Sequence, residues 1–282
     1  MKINLFQRQV FKIIFLFVLF VLTVFILGGF ILNGLLRIPS QIANIFVIIA
    51  ILLITWYAYK KEGKNLSELG LNLKWRNFGF GTLGLLIGGI FVFPLVYTFA
   101  FIKGYPVIFN PNFNSSYVIS GLWLLFPTVM LEELAFRGIC FKKTIEISSV
   151  AKANIIFASL FILSHWINLS AFGNPVLMIT LLITGLGHLL FATALLKSKT
   201  LYFPIGLHLG NNWVSLFVFS NMDINDPSIG KVKPSLINVV GDGKSPVFDG
   251  SFILTTLATA VLFLLLILAI YKWTGTKRLS SI

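Results

Sequence analysis

The sequence predicts an all-α, polytopic membrane protein with about eight transmembrane helices, and three observations predict it. The 282-residue chain is 57% hydrophobic and only 11% charged, with a mean hydropathy of +0.93. Soluble domains do not have that balance. Apolar runs of about 20 residues, the length that crosses a bilayer as a helix, recur along the chain. The 22 lysines and arginines, set against nine acidic residues, gather at the ends of those runs instead of forming a stripe. The net charge of +13 is therefore directed at a membrane surface and not at nucleic acid.

Eight segments qualify as spans: 12–36, 43–59, 78–102, 117–141, 151–169, 175–196, 201–220 and 252–272. The first follows Lys2, Arg8 and Lys12, as a signal peptide would. Its apolar run exceeds the roughly 7–15 residues of a signal sequence, so it reads as a permanent anchor. Alternating the spans from a cytoplasmic N-terminus puts 17 of the 22 lysines and arginines inside and five outside, which predicts an N-in, C-in protein. Residues 60–77 mix Leu66, Leu69, Leu71, Leu73 and Trp75 with charges and read as a loop on the cytoplasmic surface. Residues 221–250, rich in Gly, Pro and Asp, read as an irregular outer loop. The organisation is then three helices in 1–110, a core of four in 111–222, the outer loop in 223–250, and a last helix with a basic tail in 251–282. Cys140 is the single cysteine; it excludes an intramolecular disulfide and reads as a small buried apolar residue.

The fourth span carries Glu132 and Glu133 side by side inside hydrocarbon. A charge there costs about 2.5–3.5 kcal/mol on insertion scales, so the default reading is a functional site with partners. Neighbouring residues on a helix point about 100° apart, so the two carboxylates do not share a face. Glu133 and Arg137 are four apart and can pair; Arg137 is close enough to the helix end to snorkel or to clamp a neighbouring helix. Glu132 is then left without a local counter-charge and free to face another helix, as a general base must be. All three histidines, His165, His188 and His208, also fall inside spans. At 1.5 Å per residue from the nearest basic cluster, Glu132, His208 and His165 lie roughly 14–20 Å deep, compatible with one site in the cytoplasmic half of the bilayer. His208 and Asn212 are four apart and share a helix face, and Phe161 and His165 have the same spacing. On residue types alone, hydrolysis, a proton relay and a metal site all remain open.

Taken together, these residues resemble the intramembrane proteases named for CAAX processing and bacteriocin self-immunity (the CPBP or Abi family, similar to type II CAAX prenyl endopeptidases). The hallmarks EExxFRG, FxxxH and HxxxN stand here as Glu132-Glu133…Phe136-Arg137-Gly138, Phe161…His165 and His208…Asn212, in the family's order, within residues 115–220. The resemblance implies a peptide-bond hydrolase open to the cytoplasmic side. It implies that Glu132 and His165 activate water, that His208 and Asn212 stabilise the oxyanion, and that Glu133 and Arg137, with Phe136 and Phe161, support the site. His188 matches no hallmark and reads as a structural hydrogen-bonding residue.

No cofactor is required by this reading. A divalent metal, zinc, would draw on Glu132, His165 and His208 as its three ligands. A metal-free glutamate mechanism uses the same residues and is favoured, because a metal would take Glu132 from its role as base and leave Asn212 without one. The expected partners are the lipid bilayer and a membrane-associated peptide or protein substrate, either a CAAX-type peptide or a bacteriocin leader. The expected location is a bacterial inner (cytoplasmic) membrane. The competing readings are a non-catalytic self-immunity or scaffold protein, which an alanine at Glu132 would separate from an enzyme, and a proton-coupled transporter, for which internal repeats are expected and none is visible.

Overall fold

The structure, a computed structural model, describes residues 5–223, 234–241 and 247–273. Parts of the predicted outer loop and the whole basic tail (274–282) lie outside the described residues. The chain runs through α1 (Leu5–Leu22), which continues as a π-helix (Thr23–Leu35), then α2 (Ser40–Lys60), a 3-10 turn (Leu66–Leu69), α3 (Trp75–Lys103) and β1 (Val107–Phe109). Next come α4 (Ser115–Arg137), α5 (Ile139–Ile147), α6 (Val150–Asn168), α7 (Pro175–Leu181), α8 (Ile183–Ser198) and α9 (Tyr202–Trp213). A π-helical turn (Val214–Val218) leads to β2 (Phe219–Asp223), β3 (Ile237–Gly241) and α10 (Gly250–Lys272).

Among the described residues, seven helical stretches are long and apolar enough to cross a membrane: Phe6–Leu35, Ser40–Lys60, Trp75–Lys103, Ser115–Ile147, Val150–Asn168, Pro175–Ser198 and Gly250–Lys272. The chain is an integral membrane protein. Seven of the predicted spans coincide with these stretches. The other, 201–220, is shorter than predicted: 12 residues of α9 and five of π-helix, after which the chain turns into β2. Its surroundings explain this. Phe203 to His208 is buried without interruption inside the bundle, so α9 meets protein rather than lipid over most of its surface.

Local sequence sets the helix starts. Asn114, Ser149, Asn174 and Asp249 each accept a backbone N–H from the first turn of α4, α6, α7 and α10, satisfying donors that a helix leaves open. The outer loop is more regular than expected. β3 lies between β1, antiparallel, and β2, parallel, in a three-stranded sheet. The loop after α2 also departs from a simple surface reading. Leu69 is fully buried, and Lys64 reaches Glu146 at 3.1 Å while Lys143 reaches Glu62 at 2.5 Å, so the segment docks on α5. Leu73 and Trp75 stay exposed.

The central contact of the bundle is α3 on α9. Gly84 and Gly88 of α3 face Phe203 and Leu207, and Gly206 and Gly210 of α9 face Gly81, Leu85 and Gly89. A Cβ at Gly84, Gly88, Gly206 or Gly210 would lie within the partner helix's backbone. Small residues let two membrane helices meet main chain to main chain, where apolar side chains gain nothing over lipid. This contact fixes the position of α9.

Candidate active site

α4 delivers Glu132, Glu133 and Arg137, and it ends immediately after them. The helix breaks at Gly138, whose backbone there leaves no room for a Cβ, which would collide with the Leu134 carbonyl. α5 then resumes at Ile139. This gives the glycine of the EExxFRG pattern a steric reason.

The adjacent glutamates have different surroundings. The Glu133 side chain has no exposed surface, and its Oε1 accepts from Arg137 Nη1 at 3.0 Å and meets His208 Nδ1 at 2.8 Å. The predicted Glu133–Arg137 pair is present. Arg137 does not snorkel: its side chain is also fully buried, with its guanidinium 4.4 Å from the Phe161 ring and 5.1 Å from the Phe191 ring. Inside the bundle it both pairs with a carboxylate and stacks on aromatic faces.

Glu132 keeps 27% of its side chain accessible, and its Oε2 lies 3.7 Å from His208 Nε2. That is an ion-pair distance and too long for a hydrogen bond. His208 thus stands between the two carboxylates and joins α9 to α4. A carboxylate can only accept, so His208 Nδ1 is the donor to Glu133, and Nε2 is the atom turned to Glu132. The imidazole stacks on Phe191 of α8, ring centroids 4.6 Å apart and planes 17° apart. Phe191 belongs to no motif and escaped the sequence reading; nothing in the apolar run of α8 distinguishes it from a lipid-facing phenylalanine.

His165 is partly buried on α6. Its Nδ1 lies 2.8 Å from the Phe161 carbonyl one turn back. A carbonyl can only accept, so Nδ1 carries the proton and Nε2 presents a lone pair. Phe161 links the two halves of the site. Its ring is 4.9 Å from Phe136, 4.5 Å from His165 and 6.4 Å from His208. Asn212, one turn beyond His208, is partly buried and makes no hydrogen bond among the described residues.

His188 is fully buried in α8 against Phe141, Phe157 and Phe161, and neither ring nitrogen has a hydrogen-bond partner among the described residues. The expected structural hydrogen bond is therefore absent, and aromatic packing takes its place. Two further nitrogens of Arg137, the second oxygen of Glu133 and the Glu132 oxygen that faces His208 are likewise buried without a hydrogen-bond partner among the described residues. The site is thus unusually polar for its depth. Among the described residues no group of three or more His, Cys, Asp or Glu side chains is placed to hold a metal ion. Of the three residues considered for zinc, Glu132 and His208 approach one another.

Residues 114–214 match the family model described as type II CAAX prenyl endopeptidase Rce1-like. The match begins at the Asn114 cap of α4 and ends with α9, so it contains all the residues just described. No curated protein and no solved structure matches the chain.

Proposed function

We propose that this Rce1-like domain is an intramembrane endopeptidase that hydrolyses a peptide bond in a membrane-associated substrate, without a metal. The observation that carries the reading is the buried series Arg137–Glu133–His208, which ends with His208 Nε2 turned to the one accessible carboxylate, Glu132. Glu132 takes a proton from water, assisted by the lone pair of His165 Nε2. The hydroxide adds to the peptide carbonyl, whose oxygen becomes the oxyanion. The C–N bond then breaks as the amine takes up the proton held by Glu132.

His208 and Asn212, a turn apart on α9, donate to the oxyanion. Nδ1 of His208 is already committed to Glu133, so Nε2 donates when the ring carries both protons. A buried carboxylate orients the imidazole of serine hydrolases in the same way. Donors fixed before the reaction, away from bulk water, are the largest single contribution to most acyl-transfer catalysis. Glu133, Arg137, Phe136, Phe161 and Phe191 hold these groups in place. The site opens toward the cytoplasmic half of the membrane. The substrate is a CAAX-type or leader peptide.

The experiment is incubation of the purified protein with prenylated and unprenylated peptides, with and without chelator, read by mass spectrometry. The expected result is cleavage at one bond that chelator does not reduce. No cleavage of any peptide contradicts the protease reading. Cleavage abolished by chelator and restored by zinc contradicts the metal-free mechanism.

A further inference from the structure

A second site lies outside the Rce1-like domain's catalytic residues, where α3, α9 and α10 leave a cleft. It has a volume of about 400 Å³ and is walled by Leu83, Ile87, Phe203, Leu266, Ile270 and Trp273, with Ala269 on its exposed edge. This is the size of a small-molecule pocket. Its walls are aliphatic and aromatic apart from one cation, Lys272, at the last turn of α10.

A second cation is linked to the cleft through its wall residue Trp273. The Trp273 ring packs 5.8 Å from Phe80, and the Arg76 guanidinium lies 5.4 Å over that same Phe80 ring. Arg76 and Lys272 are both exposed, and neither has a carboxylate partner among the described residues. Arg76 sits in the first turn of α3. The positive end of this 29-residue helix carries no side-chain cap and no acidic neighbour in its first turn, and Arg76 adds to its charge. An apolar slot running into the bilayer under two unpaired cations and an uncapped helix N-terminus has the shape and charge of an anion joined to a hydrocarbon chain.

We propose that this cleft binds one anionic phospholipid, with an acyl chain in the slot and the phosphate held by Arg76 and Lys272. Charge decides the occupant. A second copy of the chain would bring α10 against α10, and with it Lys272 against Lys272. A zwitterionic lipid would offer the cations a phosphate already balanced by its own ammonium. The basic pockets by which membrane proteins select anionic headgroups have this composition. α9 forms one wall through Phe203, so the bound lipid would stabilise the helix that carries His208.

The test uses the delipidated full-length protein in detergent, titrated with dioleoyl phosphatidylglycerol or dioleoyl phosphatidylcholine and read by native mass spectrometry. One phosphatidylglycerol per chain is expected, with phosphatidylcholine retained at least about fivefold less. Arg76→Ala and Lys272→Ala are each expected to weaken phosphatidylglycerol about fivefold, the effect of one surface cation. Ala269→Phe, which fills the slot, is expected to abolish retention. The two cations are exposed, so their double variant keeps the test valid if Ala269→Phe fails to fold. Equal retention of both lipids, or undiminished retention in the double variant, overturns the proposal. So does a dimer cross-linked through Ala269→Cys whose formation phosphatidylglycerol does not oppose.

Discussion

α9 meets its two principal neighbours on opposite terms. Against α3 it offers glycines, and the two backbones touch with no side chain between them. Against α4 it offers His208, held by a charged hydrogen bond of 2.8 Å to Glu133. The first contact fixes where α9 is, and the second fixes which way its His208 face turns. In a membrane the two jobs have different physical solutions. Position comes from close packing, which hydrocarbon cannot imitate, and orientation comes from a polar partner that hydrocarbon cannot replace.

The largest effect is expected from breaking the packed side. Gly210→Val places side-chain atoms inside the α3 backbone near Leu85 and should cost about 3 kcal/mol or more, read as a lower unfolding temperature in detergent. A variant of unchanged stability would mean that the helices do not meet this closely. On the polar side, Arg137→Met leaves Glu133 buried and unpaired toward α4, and a loss of about 3–5 kcal/mol is expected. Adding Glu133→Gln to it should recover part of that loss, because the uncompensated charge is then gone. No recovery would show that the ion pair is not what makes the single variant unstable.

Asn212→Ala addresses the face proposed to stabilise the oxyanion. It should lower turnover about 10²–10³-fold, the effect of one oxyanion donor. Its unfolding should stay within about 0.5 kcal/mol of wild type, since no bond holds that side chain. A large stability loss with it would give Asn212 a structural role. The smallest effect is expected far from both seams. Lys64→Ala removes an exposed pair with Glu146 and should change stability by about 0–1 kcal/mol, less in high salt.

The same contrast explains what could be read from the sequence. Seven of the eight spans were legible because hydropathy is local. The Glu133–Arg137 pair was legible because four residues make one helical turn. The Glu133–His208 bond was not, since its partners lie 75 residues apart and no pattern within either helix specifies the other. The three hallmarks do lie together in one matched domain. They did not reveal Phe191, which only the folded bundle brings against His208. Nor did they show that His188 is packed among rings without a hydrogen bond. The sheet of β1, β3 and β2 was missed for a related reason: three short strands paired across long separations leave no run long enough to read.

The central claim is that the adjacent glutamates have separate roles, Glu132 acting on water and Glu133 holding α9 to α4. The most direct measurement is peptide cleavage by purified Glu132→Gln and Glu133→Gln, each compared with its own unfolding temperature. Glu132→Gln should lose about 10²–10⁴-fold in turnover while unfolding like wild type. Glu133→Gln should lose activity and stability together. Equal loss of activity with unchanged stability in both variants, or wild-type cleavage by Glu132→Gln, would contradict it.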